Sequence, residues 1–262
     1  SDVYKRQPYT NEKVGMMDWQ TYLSDWEKIA EEQGFKTRKL IEVGGCAVWA
    51  SEKGDPSLPT VYLSSGVHGD EPSGPQALLN LLRDGFFGEE YHWLICPALN
   101  PTGLQAGTRE NARGVDLNRD YFMCEAEEVC AHIEWLKSQK IPDLFLSLHE
   151  DWESSGFYYY EINCGGKGVG YQSIMSAASA HFSPEPKLMI DDHPVTERGW
   201  IFHSVEPDLP EGWPEAIYLA KMGCPLSLTF ETPSSADLSD RMACHQAVVK
   251  EAIVRIPQNN NF

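Results

Sequence analysis

The segment spanning residues 61–75, VYLSSGVHGDEPSGP, restricts the fold of this chain more than any other stretch. Its first residues are apolar and partly β-branched, which predicts a buried strand. Gly66 and Gly69 then break the strand pattern, and the prolines after them can open the helix predicted for QALLNLLRDG. His68 and Glu71 therefore lie between the carboxyl end of a strand and the first turn of a helix. Open α/β sheets place their ligands at that position.

Two further predicted strands also end on groups that can bind a metal or move a proton. LFLSLHE reaches His149, and LSLTFE reaches Glu231. A parallel sheet brings such strand ends together at one edge, although they are far apart in sequence. Two ligands close in sequence, His68 and Glu71, with a distant histidine leave a fourth position for water, which is the arrangement of a catalytic zinc site. We therefore expect one Zn²⁺ per chain, with Glu231 taking the proton of the attacking water.

The remaining patterns alternate strands with helices, which predicts an α/β fold with a mixed, mostly parallel, twisted sheet and helices on both faces. We expect one catalytic domain over residues 1–262. Its first part, residues 1–59, should form a helix and a hairpin, and the proline-rich residues 183–216 should form an active-site loop. The predicted helices are 18–33, QALLNLLRDG, EAEEVCAHIEWLKSQ, 171–181, 213–222 and 237–255, and the other predicted strands are the KLIEVGGCAVWASE hairpin, YHWLICPAL, DLFLSLHEDW, GFYYYEI and PLSLTFETP.

Composition excludes several classes of protein. The 262 residues suit one large domain, and 21 basic against 39 acidic residues give a net charge of -18, which argues against nucleic acid or an anionic membrane as partner. Seven cysteines without a CxxC pair favour free, mostly buried thiols over a disulfide framework.

The chain contains no long apolar run and no leader-like start, so we expect a cytoplasmic protein and leave open a leader removed before Ser1. The oligomeric state is left open.

The motifs resemble, in order, those of the zinc carboxypeptidase family, the carboxypeptidase A-like metallopeptidases and their compact bacterial members. They are HGDE, NPTG, TRENARGVDLNRDY, SLHED and TFETP, and with the strand that leads into HGDE the resemblance covers residues 61–233. GVDLNR is the most specific of them. The resemblance implies a zinc-carboxypeptidase-like, hydrolase-type α/β sandwich and an enzyme that hydrolyses an amide bond.

The resemblance also implies site residues. His68, Glu71 and His149 would be the zinc ligands and Glu231 the general base and acid. Arg109 is similar to the family arginine that polarises the scissile carbonyl and steadies the oxyanion. Asn118 and Arg119 match the pair that holds a substrate's terminal carboxylate, since a guanidinium fork grips a carboxylate with two parallel hydrogen bonds. Asp116 matches the carboxylate that would bind the far nitrogen of His68 and fix its tautomer.

The sequence departs from the family pattern in two places. Family members usually carry a tyrosine on the lid segment before the catalytic glutamate, and residues 183–217 contain none. Trp200, His203 and Trp213 are the candidates to replace it. Asp120 also stands where the family often continues NRN.

Three functions remain open at this point. The first is a metallocarboxypeptidase or peptide amidase acting on a small peptide, possible substrates including peptides of the cell-wall type. The second is an N-acyl amino acid deacylase that resembles the succinylglutamate desuccinylase and aspartoacylase branch, which shares HxxE, a later histidine and a glutamate. The third is a non-catalytic binding protein on the same fold. The long spacing between Glu71 and His149 favours the peptidase.

Overall fold

A computed structural model describes residues 17–165, 168 and 170–254. Within them the main sheet has eight strands in the order β1-β2-β4-β3-β5-β10-β6-β9. The strands are β1 Lys36–Val43, β2 Cys46–Lys53, β3 Thr60–Ser65, β4 His92–Cys96, β5 Leu144–Asp151, β6 Tyr158–Asn163, β7 Met189–Ile190, β8 His193–Pro194, β9 Trp200–His203 and β10 Leu226–Pro233. The helices are α1 Trp19–Glu32, α2 Ser73–Arg83, α3 Pro101–Ala106, α4 Glu127–Lys137, α5 Tyr171–Ala178, α6 Glu215–Met222 and α7 Leu238–Val254.

The sheet is mixed and mostly parallel, as the sequence predicts. β3 pairs in parallel with both β4 and β5, and β5 pairs in parallel with β10. Antiparallel pairs join β1 to β2, β2 to β4, and β10 to β6. The carboxyl ends of β3, β5 and β10 consequently lie at one edge of the sheet, which is where the metal-site residues were predicted to meet.

Helices cover both faces of this sheet because its central strands carry apolar side chains in both directions. Val61 and Leu63 of β3 pack into a core with α1, α2, α5 and α7, whereas Tyr62 points to the opposite face. There it stacks on Phe145 at a ring distance of 5.0 Å, beneath α4. Strands buried on both faces are typical of parallel sheets.

Most predicted elements are confirmed within a few residues. The first helix begins after Asp18, whose carboxylate accepts the N–H of Gln20 as an N-cap. The predicted hairpin turns at Gly44 and Gly45, with φ of 59° and 77°, the left-handed values that a two-residue turn requires. The last predicted helix is observed over Leu238–Val254, and its predicted final residue, Arg255, lies outside the described residues.

The prediction of a loop over residues 183–216 is wrong in part. Trp200–His203 forms β9, which pairs in parallel with β6 at the edge of the main sheet. Met189–Ile190 and His193–Pro194 form a separate two-stranded hairpin. Edge strands can be short and can have prolines next to them. The proline-rich composition of this segment therefore predicted a loop although it contains short strands. Residues 100–121 are rich in turn-forming residues, yet they contain the short helix α3 and a 3-10 turn at Leu117–Arg119.

The cysteine prediction also needs one correction. Cys124 and Cys130 form a disulfide across the start of α4. The positive φ of Cys124, 55°, turns the backbone there. Cys46, Cys96, Cys224 and Cys244 are buried thiols, as expected, and Cys164 is exposed.

In the described part of the chain, every helix is too short or too polar to cross a lipid bilayer.

Candidate metal centre

The turn after β3 is shaped by two glycines. Gly66 has a φ of 60°, which redirects the chain immediately after the strand. Gly69 lies so close to α3 that a Cβ atom there would come within 1.9 Å of the Gly103 carbonyl carbon. Its N–H points to the Arg109 carbonyl oxygen at 3.3 Å. The glycines of this motif thus let a tight turn present His68 and Glu71 at the edge of the sheet.

His68, Glu71 and His149 converge at this edge, as predicted. Nδ1 of His68 lies 2.6 Å from Glu71 Oε1, and Nδ1 of His149 lies 2.8 Å from Glu71 Oε2. One potential ligand atom from each residue lies within 4.8 Å of the other two, and all three side chains are buried. Two imidazoles and a carboxylate are the donor set that zinc accepts in catalytic sites. The residues therefore fit a zinc ion.

Asp116 faces the opposite nitrogen of the His68 ring. Its Oδ1 lies 3.3 Å from His68 Nε2, although Nε2 makes no hydrogen bond of good geometry among the described residues. Asp116 Oδ2 accepts a hydrogen bond of 3.0 Å from Arg109 Nε, and Arg109 Nη2 lies at the same distance. The carboxylate thus links the candidate ligand His68 to Arg109. This placement is compatible with the orienting role predicted for Asp116.

The charges of the cluster shift its proton equilibria. Burial works against ionisation of Glu71, but His68 and His149 outweigh it and lower the Glu71 pKa. Burial is likewise outweighed at Asp116, where His68 and Arg109 lower the carboxyl pKa. Burial lowers the pKa of His149, despite the opposing effect of Glu71. Burial and Arg109 work against protonation of His68, but Glu71 and Asp116 outweigh them and raise its pKa. A metal ion that binds His68 would therefore displace its proton, because metal binding requires a neutral imidazole.

Asn100, which the sequence analysis did not assign, organises the loop that carries Arg109. Its Oδ1 accepts the N–H of Gly103 at 2.9 Å and so caps α3. Its Nδ2 donates to the Arg109 carbonyl oxygen at 3.1 Å. That carbonyl also faces the Gly69 N–H. The NPTG motif therefore ties the Arg109 backbone to the turn that carries His68, and an asparagine followed by proline at a helix start was the available signal.

Asn118 and Arg119 lie on the wall of the same cavity as the metal cluster. Asp116 Oδ1 accepts the Asn118 N–H at 3.0 Å, which caps the short turn that carries both residues. Asn118 Oδ1 accepts the backbone N–H of Glu215 at 3.0 Å. The Asn118 amide is therefore held on its oxygen side, and its NH₂ donors point away from Glu215.

Asp120, the departure from the family pattern, is turned away from this wall. Its carboxylate accepts the N–H groups of Glu125 and Ala126, at 3.0 and 2.8 Å. These contacts fix the entry to α4. The substitution is thus accommodated by a structural role for Asp120 at a helix start.

Glu231 lies beside His149, because β10 and β5 pair in parallel with these two residues in register. Across the antiparallel pair with β6, its partner is Tyr158. Burial, reinforced by Glu71 and Asp151, raises the pKa of Glu231 well above the usual range of a glutamate.

Glu231 lines the cavity of about 1190 Å³ that also contains His68, His149 and Arg109. All of the predicted site residues except Asp116 line this cavity, and Asp116 lies directly behind His68.

The three candidates for the missing lid tyrosine lie in different places. His203 lines the cavity. Trp200 packs on Tyr159 and Tyr171, and Trp213 packs on Phe122 and donates to the Pro210 carbonyl at 2.9 Å.

Two tyrosines of β6, Tyr158 and Tyr160, also line this cavity and were not among the predicted site residues. Tyr158 donates to Asp151 at 3.1 Å and Tyr160 donates to Asp191 at 2.9 Å. Their alternation along GFYYYEI, with period two, was the signal that both face the same side.

A buried polar network supports the wall beneath Asn118. Glu215 accepts hydrogen bonds of 2.7 Å from the hydroxyls of Tyr62 and Ser64. The Tyr62 hydroxyl also lies 2.8 Å from His132 Nε2. Burial raises the pKa of Glu215 to about 7, against the opposing effect of the two hydroxyl donors. No pattern in the sequence distinguishes Glu215 from the other acidic residues.

The raised Glu215 pKa predicts a pH-dependent stability. The ordinary pKa of a glutamate is 4.5, and that of Glu215 in the folded protein is about 7. Between these pH values Glu215 keeps its proton in the folded state, whereas the unfolded chain releases it. The contribution of this pKa shift to the free energy of unfolding is fully present below pH 4.5. It is lost as the pH rises toward 7, and the loss is about 3 kcal/mol in total. Glu215→Gln should remove this part of the slope in urea unfolding measured from pH 4 to 8. The exposed Glu89→Gln serves as the control, and equal slopes in all three proteins would contradict the assignment.

The known proteins that resemble this chain are metallo-carboxypeptidase-like hydrolases, the class that the motifs predict. Residues 57–162 match the model of the succinylglutamate desuccinylase/aspartoacylase catalytic domain. Carboxypeptidase 2 of Trichophyton tonsurans is 31% identical over 140 residues, which cover 50% of this chain and 24% of that protein. Murein peptide amidase A of Escherichia coli K12 is 35% identical over 83 residues, covering 31% and 34%. The chain thus matches only about a quarter to a third of the length of these relatives.

A solved structure extends the likeness to nearly the whole chain. A Shewanella denitrificans protein provisionally assigned to the metallopeptidases superposes with a TM-score of 0.79 at 26% identity, over 91% of this chain and 90% of that one. The resemblance to metallo-carboxypeptidase-like hydrolases, predicted from the motifs, is therefore confirmed in sequence and in fold.

Proposed function

We propose that this protein is a zinc-dependent metallocarboxypeptidase or peptide amidase that hydrolyses an amide bond of a small peptide. The observation that carries the proposal is the convergence of four kinds of group in one cavity. These are a His-Glu-His cluster, an arginine beside it, an Asn-Arg pair on the wall, and a glutamate in register with one of the histidines. The eight-stranded main sheet, which runs through most of the described residues, supports treating residues 1–262 as one catalytic domain, with residues 183–216 forming part of the pocket wall.

His68, Glu71 and His149 would hold the zinc ion. When bound, zinc supplies a Lewis acid and lowers the pKa of bound water to roughly 7. Glu231, whose pKa is raised by burial and by neighbouring acids, accepts the proton of the attacking water and returns it to the leaving amine. A raised pKa suits a group that performs both transfers near neutral pH.

Arg109 stabilises the charge that develops on the carbonyl oxygen. Its Nε and Nη2 are held by Asp116, so the guanidinium is fixed before substrate arrives. Its Nη1 points toward the metal cluster, 3.3 Å from His68 Nδ1. A preorganised cation of this kind stabilises the transition state more than the ground state. Asn118 and Arg119 grip the terminal carboxylate and thereby place the scissile bond.

The carboxylate grip predicts the effect of Arg119→Ala. Loss of a charge-assisted, two-pronged hydrogen bond costs about 1.5–3 kcal/mol. The Michaelis constant for peptides with a free carboxylate should therefore rise by about tenfold or more, while peptides with an amidated carboxyl end should change little. Initial rates on matched free and amidated tripeptides measure this. Arg113→Ala, which removes an exposed arginine of the same loop, is the control. An unchanged Michaelis constant in Arg119→Ala would contradict the carboxylate role.

A deacylase of N-acyl amino acids is the second candidate, because the family model that matches residues 57–162 describes desuccinylase and aspartoacylase catalytic domains. A panel of dipeptides, tripeptides and N-acyl amino acids, offered to the zinc-loaded protein, separates the two functions. Turnover of peptides supports the peptidase. Turnover confined to N-acyl amino acids would replace it by the deacylase, and turnover of neither would favour a binding protein.

A further inference from the structure

A second group of metal-binding side chains lies on another part of the cavity wall. It consists of His193, His203 and Asp208, and one ligand atom of each lies within 4.8 Å of the other two. His193 Nε2 is 3.2 Å from Asp208 Oδ2, and His203 Nε2 is 3.5 Å from Asp208 Oδ1. The two imidazole rings contact each other at 4.7 Å. All three residues line the cavity of the proposed active site, yet the function proposed above uses none of them.

The backbone presents these side chains from three separate segments. His193 follows a two-residue turn, in which Asp191 and Asp192 have φ of 48° and 63°, and this geometry is that of a tight hairpin. The turn is anchored by the hydrogen bond from Tyr160 to Asp191. His203 is the last residue of β9, and Asp208 lies in the following loop. His193 thus lies on β8, which pairs with β7, and His203 lies on β9, which pairs with β6. Asp208 lies in a loop and can adjust to them.

Hydrogen bonding defines the state of His203. Its Nδ1 lies 2.6 Å from the Ser204 carbonyl oxygen, and since a carbonyl can only accept, Nδ1 carries the proton. In the neutral ring, Nε2 then carries a lone pair, which faces the Asp208 oxygen at 3.5 Å. Both of these atoms are acceptors, so either a proton or a metal ion between them would stabilise the contact. A histidine whose second nitrogen donates to a backbone carbonyl is the usual form of a metal ligand.

We propose that His193, His203 and Asp208 bind a second divalent cation of the zinc class. Imidazole nitrogens select zinc and its transition-metal neighbours over calcium and magnesium. A proton on one ring would satisfy one histidine–aspartate pair, whereas a metal ion satisfies both nitrogens and the carboxylate together. The His193 and His203 side chains are 23% and 11% exposed, and that of Asp208 is 65% exposed. Solvent thus has access to the site, and a cation can enter from the cavity.

The bound cation would join the β7–β8 hairpin to the end of β9 and to the loop after it. His193, His203 and Asp208, which lie on these elements, line the cavity. The second site would therefore stabilise the wall of the substrate cavity. The proposal for this site does not depend on the reaction assigned to the first cluster.

Zinc titration of the full chain by isothermal calorimetry tests this site. The His149→Ala background removes one ligand of the first cluster, so that binding at the second can be followed separately. In that background we expect about one zinc per chain, and an affinity at least tenfold lower after adding His203→Ala or Asp208→Asn. Asp208→Asn keeps the size of a largely exposed side chain, so we expect this variant to fold like the wild-type protein. Adding His181→Ala, which removes a half-buried histidine elsewhere, should leave the binding unchanged.

Two results would overturn the proposal. One is no zinc uptake in the His149→Ala background, and the other is equal affinity with and without His203 and Asp208. If His149→Ala does not fold, zinc stoichiometry of the wild-type protein and of Asp208→Asn decides the question, with one equivalent fewer expected in the variant and equal stoichiometry contradicting the site. Absence of peptide hydrolysis has no bearing on these outcomes, so a failure of the proposed function is distinguishable from a failure of the second site.

Discussion

Glu231→Gln is expected to lower kcat on a peptide substrate by at least about a hundredfold, the smaller end of the effect of removing a general base. Glutamine has nearly the same shape but cannot take up the proton of the attacking water. The residue lies in register with His149 across β10 and β5, which places it beside the candidate ligands. Because it is not itself proposed as a ligand, zinc content should stay unchanged.

Steady-state kinetics and metal analysis on the same preparations measure both parts of this expectation. The control is Glu89→Gln, the same chemical change at an exposed position away from the cavity, and it should leave kcat within about twofold, as surface substitutions usually do. A Glu231→Gln variant with full zinc and wild-type kcat would remove Glu231 from the mechanism. Loss of zinc in that variant would instead make it a ligand.

Arg109→Ala is expected to lower kcat/KM by about a hundredfold to a thousandfold, as for the loss of one group that stabilises an oxyanion. Arg109 is half-buried beside the cluster, with 32% of its side chain exposed, and Asp116 holds two of its nitrogens. Lysine cannot reproduce this fork, so Arg109→Lys should recover little activity.

Arg113→Ala supplies the matched control, since it removes an exposed arginine of the same loop. Thermal unfolding and zinc content should accompany the kinetics, because Arg109 also contacts Asp116 and lies 3.3 Å from His68 Nδ1. A variant that keeps its metal and its fold but loses kcat/KM supports the electrostatic role. Wild-type kcat/KM in Arg109→Ala would exclude it.

The strand-end positions of the cluster could be read from the sequence because local patterns specify them. VYLSS, LFLSL and LSLTF are buried strands. LFLSL and LSLTF lead directly to His149 and Glu231, and VYLSS is followed by His68 after Gly66 and Val67. The rule that parallel strands present their carboxyl ends at one edge then brings His68, His149 and Glu231 together. The sheet order and the register of β5 with β10 agree with that expectation.

The features that the sequence did not reveal depend on long-range contacts. Glu215 is bound by the hydroxyl of Tyr62, 153 positions earlier in the chain, and no periodicity signals such a pair. His193 and Asp208 were missed because prolines made residues 183–216 look like a loop. In the structure, β9 pairs with β6 there and fixes His203 beside them.

Metal content tests the central claim most directly. Elemental analysis of the protein purified without added metal, compared with His149→Ala and with the control His181→Ala, counts zinc per chain. The account predicts that His149→Ala holds about one zinc per chain less than the wild-type protein, and that His181→Ala holds as much as the wild type. Equal zinc in the wild type and His149→Ala, or no zinc uptake by the wild type on titration, would contradict a metal centre at His68, Glu71 and His149.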